Sequence, residues 1–281
     1  MKQSDDNKPI PMTSVSSGKG REVSEDVFYY TDQIVNIVFI GKPGQEKWVL
    51  IDAGMPKSGS RIQEVAEERF GKGSRPDAII LTHGHFDHVG GLVELINKWR
   101  VPVYAHPLEF PYLTGKLAYP EPDSSVEGGM LAKISSIYPH QPIDISGAVE
   151  PLATNHSVND LAEWKWIHTP GHSPGHVSLY RERDGLLLSG DAFVTVRQDS
   201  FYKVLLQKEE VNGPPRYLTN DWKAAKESVR ILHALQPTTV IPGHGSAMSG
   251  EELREGLDRL KQNFDELAVP DHGRYVDGKE S

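Results

Sequence analysis

The chain has 281 residues, 37% of them hydrophobic and 25% charged, with a formal net charge of −9. That is apolar material for a substantial core, in one large domain or two ordinary ones. It contains no cysteine, which excludes disulfides, thiolate metal sites and cysteine nucleophiles together. No run approaches the ~20 apolar residues that span a bilayer, so no membrane partner is expected. The acidic balance, without a Lys/Arg cluster, argues against nucleic acid.

Residues 1–22 are polar and without periodicity, and read as a flexible N-terminal arm. The opening Met1-Lys2-Gln3-Ser4-Asp5-Asp6 lacks the apolar segment of a secretory signal, which points to the cytoplasm. A single domain is expected over residues 23–269, followed by a tail over 270–281. Ile34 to Ile40 and Trp48 to Ile51 read as strands around a Gly-Lys-Pro-Gly turn. Ile62, Val65, Ala66 and Phe70 recur at helical spacing, with Gly71 placed to end the helix. Ala78 to Leu81 has the uninterrupted apolar character of a strand buried on both faces. Val89, Leu92, Val93 and Ile96 mark another helix, and Val101 to Ala105 another strand.

Residues 106–163 are rich in Pro, Gly, Ser and Tyr, an irregular insertion of the kind that forms lids or pocket walls. Trp164 to Ile167, Val177 to Tyr180, Leu186 to Leu188 and Thr238 to Ile241 read as strands, with a helix marked by Trp222, Ala225, Val229 and Leu232. The last helix is the clearest. Ser249 and Glu252 form a capping-box pattern, and Leu253, Leu257, Leu260, Phe264 and Leu267 follow in 4-3-4-3 steps. Two β-rich halves, each with helices to cover one sheet face, predict an α/β four-layer αββα sandwich.

The segment that carries chemistry is Thr82-His83-Gly84-His85-Phe86-Asp87-His88-Val89-Gly90-Gly91. It leaves a buried strand and opens a helix. With the chain still extended, His83 and His85 point the same way, while Asp87 and His88 fall where the helix starts. A carboxylate is favoured at that helix N-terminus, and the glycines permit tight turns and close backbone approach. Three later strands each end in a loop with one ligand-type side chain: His172 in Thr169-Pro170-Gly171-His172, Asp191 in Leu188-Ser189-Gly190-Asp191, and His244 in Pro242-Gly243-His244-Gly245.

In their order, these segments resemble the metallo-β-lactamase superfamily across roughly residues 25–268. The resemblance implies that fold, with His83, His85 and His172 on one metal, Asp87, His88 and His244 on a second, and Asp191 bridging them. It implies two Zn²⁺ per chain, although nitrogen and oxygen donors also suit Fe or Mn. Two such ions about 3.5–4 Å apart can share a hydroxide at neutral pH. A metal-bridging hydroxide would then cleave an ester-like bond, such as a lactone or thioester, in a small-molecule substrate. Asp87 is the candidate carrier of a proton to the leaving group. Asp52, in Leu50-Ile51-Asp52-Ala53-Gly54, matches an early aspartate of the family and is expected to orient a ligand. His176 is expected to support the site from behind.

Departures from the family's branches narrow the substrate. Asp191 and the lack of cysteine separate the chain from the antibiotic-hydrolysing lactamases, and Val194 stands where acyl-homoserine lactonases usually carry tyrosine. Glyoxalase II enzymes share the metal motifs but carry a longer helical C-terminal region. The alternatives that stay open are an iron-dependent oxidoreductase resembling persulfide dioxygenases, a phosphodiesterase, and a non-catalytic metal-binding module. The loop Gly213 to Trp222 offers either a helix entry capped by Asn220 or Asp221, or substrate contacts from Arg216 or Tyr217. Phe193, Phe201 and Tyr202 are candidates for an apolar pocket wall or for core packing. The oligomeric state is not legible.

Overall fold

The protein is described by a computed structural model covering residues 1–6, 13–126, 135, 138–158, 160–196 and 209–276. It divides into two compact units, residues 1–119 with 139–162, and residues 120–138 with 163–281.

The first unit is built on a seven-stranded sheet whose strands lie side by side in chain order. They are β1 (Gly20–Ser24), β2 (Val27–Asp32), β3 (Val35–Ile40), β4 (Val49–Ile51), β5 (Ala78–Ile80), β6 (Val103–Ala105) and β7 (Val149–Pro151). Pairing is antiparallel from β1 to β4 and parallel from β4 to β7. Parallel neighbours need a crossover, and helices fill the first two. Helix α1 (Gly59–Phe70) joins β4 to β5, while α2 (Phe86–Val89) and α3 (Leu92–Trp99) join β5 to β6. A 3-10 turn, Pro107–Glu109, then leads into the short helix α4 (Phe110–Leu113).

The helical spacing of Ile62, Val65, Ala66 and Phe70 puts all four on the buried face of α1. They join Leu92, Leu95, Ile96 and Trp99 of α3 in one core with Phe39, Leu50 and Ile79 of the sheet. Trp48 stacks on Phe70 at 4.4 Å and meets Trp99 edge-on at 5.7 Å. Each such fully buried large side chain contributes about 2–3 kcal/mol. Every residue of β3, β4 and β5 is buried, the condition that the uninterrupted apolar sequences of β4 and β5 require; the one polar residue among them, Asn36 of β3, accepts the Thr31 hydroxyl at 2.9 Å.

In chain order the remaining strands are β8 (Ser157–Val158), β9 (Leu161–His168), β10 (Val177–Arg181), β11 (Leu186–Gly190), β12 (Val194–Val196), β13 (Glu209–Asn212), β14 (Thr239–Pro242) and β15 (Met248–Ser249). The second unit's sheet contains the run β15-β14-β11-β10-β9, with β12 and β13 paired separately. Helices Trp222–Ala234 and Gly250–Gln262 bury Trp222, Val229, Leu232, Leu253, Leu257 and Leu260 against Leu187 and Val240 of this sheet. Each unit thus supplies one β layer and one α layer.

The structure differs from the sequence reading at several local points. Within residues 1–22, Gly20–Glu22 belong to β1, and Lys2 pairs with Asp144 through two 2.8 Å backbone hydrogen bonds. Asp6 accepts the backbone N–H of His140 and Gln141 at 2.9 and 3.1 Å. The helix expected through Val89 to Ile96 is two helices, because Gly90 and Gly91 interrupt it. The last helix stops at Gln262, and Asn263, at φ −120° and ψ 34°, starts a separate turn over Phe264–Leu267. Ser249 occupies the N-cap position, but its side chain makes no capping hydrogen bond. The capping box therefore does not form.

Candidate metal centre

In the first unit, β4, β5 and β6 run parallel, so their C-terminal ends share one edge. Asp52 follows β4, the histidine-rich segment follows β5, and His106 and Glu109 follow β6. This is the edge at which open α/β sheets collect their functional groups. His85, extended at φ −65° and ψ 154°, occupies the N-cap position of α2 without a side-chain capping hydrogen bond, and Asp87 and His88 lie in that helix. The His83 and His85 rings meet at 4.7 Å and those of His83 and His88 at 4.2 Å. The ligand atoms of Asp87 and His88 lie within 4.8 Å of one another. All four side chains are buried.

Hydrogen bonds decide which imidazole nitrogen is presented. Thr82 donates its N–H to Asp52 Oδ1 and its hydroxyl to Oδ2, both at 2.8 Å. The single hydroxyl proton is then committed, so the Thr82 oxygen, 3.0 Å from His83 Nδ1, accepts from that nitrogen. His88 Nδ1 lies 2.8 Å from Asp52 Oδ2 and donates to it. In both rings the proton sits on Nδ1 and the Nε2 lone pair becomes the ligand, the arrangement that orients metal-binding histidines.

Asp52 pays for this position with a left-handed backbone, φ +62°, which few side chains but Asn and Asp tolerate. Its loop is laced to α2. Ala53 N–H donates to His88 O at 2.7 Å, Gly90 N–H to Gly54 O at 2.8 Å and Gly91 N–H to Ala53 O at 2.9 Å. A Cβ on Gly90 would stand 2.2 Å from the Met55 and Pro56 backbone, so only glycine fits there.

A buried pair lies beneath the segment. Glu109 and the Tyr119 hydroxyl are hydrogen-bonded to each other. Burial, reinforced by the Glu109 charge, drives the Tyr119 phenol well above its ordinary pKa, so it stays protonated and donates. Gly84 N–H points between Glu109 Oε2 at 2.9 Å and Tyr119 Oη at 3.0 Å.

In the second unit, β11 pairs parallel with β14, with Gly190 opposite Pro242. Asp191 and His244 therefore leave the sheet side by side. Strand β9 is antiparallel to β10 and β10 to β11, so β9 also ends at this edge, and His172 follows it. Asp191 Oδ2 is 3.4 Å from His172 Nε2 and 3.2 Å from His244 Nε2. Two donors each about 2.1 Å from a tetrahedral ion stand roughly 3.4 Å apart. The spacing fits donors that share an ion.

The same proton logic applies here. Thr219 donates its hydroxyl to Pro215 O at 2.8 Å, so its oxygen accepts from His172 Nδ1 at 3.0 Å and leaves Nε2 as the ligand atom. His176 is different. Its Nε2 accepts the Asp191 N–H at 2.8 Å, and its Nδ1 donates to Thr169 Oγ1 at 2.8 Å. Thr169 then donates to Ser178 at 3.0 Å, and Ser178 to the Ser189 carbonyl at 3.0 Å. His176 is a neutral support that fixes the backbone carrying Asp191.

The sequence-predicted donors thus form two clusters, His83, His85, Asp87 and His88 in one unit and His172, Asp191 and His244 in the other. The loop before Trp222 is a helix entry in which Asp221 caps Ala224 N–H at 2.8 Å. Arg216 grips the carbonyls of Leu267 and Ala268, both at 3.0 Å. Tyr217 is buried edge-on against Tyr138 at 5.6 Å. Phe193 belongs to the second unit's core; Phe201 and Tyr202 lie outside the described residues. The sequence reading missed Thr219, Glu109 and Tyr119. Only Thr219 carried a signal, as a hydroxyl in the loop already singled out for its neighbours.

Comparison with known proteins agrees with this construction. The family description "Metallo-beta-lactamase superfamily" matches residues 30–244. The chain is 46% identical over 259 residues to the probable metallo-hydrolase YflN of Bacillus subtilis, covering 92% of this chain and 98% of the relative. It is 34% identical to the probable metallo-hydrolase YybB of the same organism, over 63% of this chain and 69% of that one. Among solved structures, TTHA1623 in a di-iron-bound form is 28% identical with a TM-score of 0.52, covering 76% of this chain and 89% of that one. The chain belongs to the metallo-β-lactamase superfamily and has its mixed α/β fold. It is a metal-dependent hydrolase with histidine and aspartate donors for its metal centre. Among the described residues no helix is long and apolar enough to cross a membrane.

Proposed function

We propose that the two clusters combine into one dinuclear centre that hydrolyses an ester-like bond, a lactone or thioester, in a small substrate. One family profile running through both units supports reading them as parts of one domain. The observation that carries the proposal is Asp191 Oδ2, placed 3.4 Å from one imidazole Nε2 and 3.2 Å from another. A single carboxylate at that spacing suits a bridge. His83, His85 and His172 then hold one ion, and Asp87, His88 and His244 the other.

Such ions, when bound, supply activated water and polarise the substrate oxygen. The chain's own residues do the rest. Asp52, Thr82 and Thr219 hold the imidazoles as Nε2 ligands, and His176 fixes the Asp191 backbone. Asp87, at the start of α2, takes up the proton that the attacking water releases and passes it to the leaving group. The complete set of seven donors favours this reading over a mononuclear iron oxidoreductase. Zinc is the expected metal, with iron the first alternative because TTHA1623 is described in a di-iron-bound form.

Metal analysis of purified protein, paired with a hydrolysis panel of lactones, thioesters, phosphodiesters and β-lactams, tests the proposal. Two metals per chain and turnover of a lactone or thioester are expected. One iron per chain with oxygen uptake on a persulfide would replace it.

A further inference from the structure

We infer that Glu109 and Tyr119 are positioning residues that set the relative aim of the His83 and His85 imidazoles by clamping the peptide between them. The inference rests on the dinuclear reading above. Gly84 is the single residue separating the two histidines, and its backbone orientation fixes the direction in which both side chains leave the chain. Its N–H is shared between two adjacent acceptors, Glu109 Oε2 at 2.9 Å and Tyr119 Oη at 3.0 Å. The two acceptors are themselves tied by the phenol's hydrogen bond to the carboxylate.

The clamp also touches the second histidine directly. The Tyr119 ring lies 4.3 Å from the His85 ring, and Tyr112 stacks on Tyr119 at 3.9 Å and 12°. Glu109 is fully buried, and a buried carboxyl carries a large desolvation cost that an ordinary turn does not require. A neutral cap would satisfy one backbone N–H at lower cost. A Cβ at Gly84 would fall 2.6 Å from the Tyr119 oxygen and 3.1 Å from Leu113 Cδ2, so the clamp explains why that position is glycine. The pair comes from the turn after β6 and the segment that follows α4, not from the metal-binding segment itself. It is a support of the kind whose loss loosens a metal without removing a ligand.

The test is titration of the full-length metal-free protein with cobalt(II), in competition with a chelator. The visible absorption spectrum reports coordination geometry, and the melting temperature of the metal-free form is recorded alongside. Tyr119→Phe keeps the ring and removes the hydroxyl. It is expected to weaken cobalt binding about tenfold or more and to shift the visible bands, while the metal-free form stays folded with a modestly lower melting temperature, since Glu109 loses one donor. Glu109→Gln keeps an oxygen to accept from Gly84 and is expected to retain more affinity than Glu109→Ala. Wild-type affinity and spectrum in Tyr119→Phe would overturn the inference, even if the melting temperature fell, because the pair would then serve packing alone. If Glu109→Ala does not fold, Tyr119→Phe decides. A wild-type chain that binds no cobalt would instead remove the metal reading on which the inference stands.

Discussion

The two clusters of donors are built in opposite ways. The first unit takes four donors from six consecutive residues, His83 to His88, at one strand-to-helix turn. The second takes one donor from each of three loops, and only the pairing of β9, β10, β11 and β14 brings them to one edge. Their supports differ as well. In the first unit an anion, Asp52, is hydrogen-bonded to both Thr82 and His88. In the second, neutral groups do the work: Thr219 behind His172, and the relay from His176 to Ser189 behind Asp191. A local cluster depends on its turn, and a dispersed one depends on its sheet. The first should be sensitive to backbone changes and the second to loss of single side chains.

The largest effect is expected at Asp191, whose Oδ2 serves both neighbouring imidazoles. Asp191→Ala should reduce turnover on the order of 10³-fold and lower the metal content below two, with the circular dichroism spectrum unchanged. Wild-type metal content in that variant would show that the second cluster does not need its carboxylate.

Asp52→Ala comes next. It removes a charge-assisted partner of His88 and the acceptor for both Thr82 donors, so metal affinity should fall about 10- to 100-fold. Asp52→Asn should lie between the two, because its amide oxygen can serve only some of those donors. Equal metal binding in Asp52→Asn and wild type would mean that the charge at Asp52 is irrelevant.

The backbone sensitivity of the first cluster is read at Gly90. An added Cβ would meet main-chain atoms of Met55 and Pro56 at 2.2 Å, where nothing can rotate away. Gly90→Ala should destabilise the fold by about 1–3 kcal/mol, visible as a lower denaturation midpoint even without metal. An unchanged midpoint would show that the lacing of the Asp52 loop to α2 is not what holds the first cluster.

The same contrast explains what could be read in the sequence. The run His83 to His88 was legible because its donors are contiguous, and Asp191 and His244 because each ends an apolar strand at a turn. Thr82 was visible but silent, since its role depends on Asp52, 30 residues away. Glu109 and Tyr119 were hidden inside a stretch that looks irregular, and they meet Gly84 across 25 and 35 residues. Periodicity reports burial, not hydrogen-bond partners. The last helix shows a second limit. The steps from Leu253 to Phe264 do describe one buried face, yet Asn263 breaks the backbone beneath that continuous pattern. Ser249 likewise has the residue type of a capping box without its hydrogen bond.

The smallest effect separates the two kinds of support most sharply. Thr219 holds His172 through one neutral hydroxyl whose own proton goes to Pro215 O. Thr219→Val keeps the side-chain shape and removes that oxygen, a loss of about 1 kcal/mol. Metal affinity should then weaken by about fivefold, less than in Asp52→Ala. Thr219→Ser restores the hydroxyl and should recover most of the difference, which a packing defect would not. If Thr219→Val instead matched Asp52→Ala in chelator competition, the charge on Asp52 would give no advantage over a neutral acceptor. The distinction between the two clusters would then lie in their chain connectivity alone.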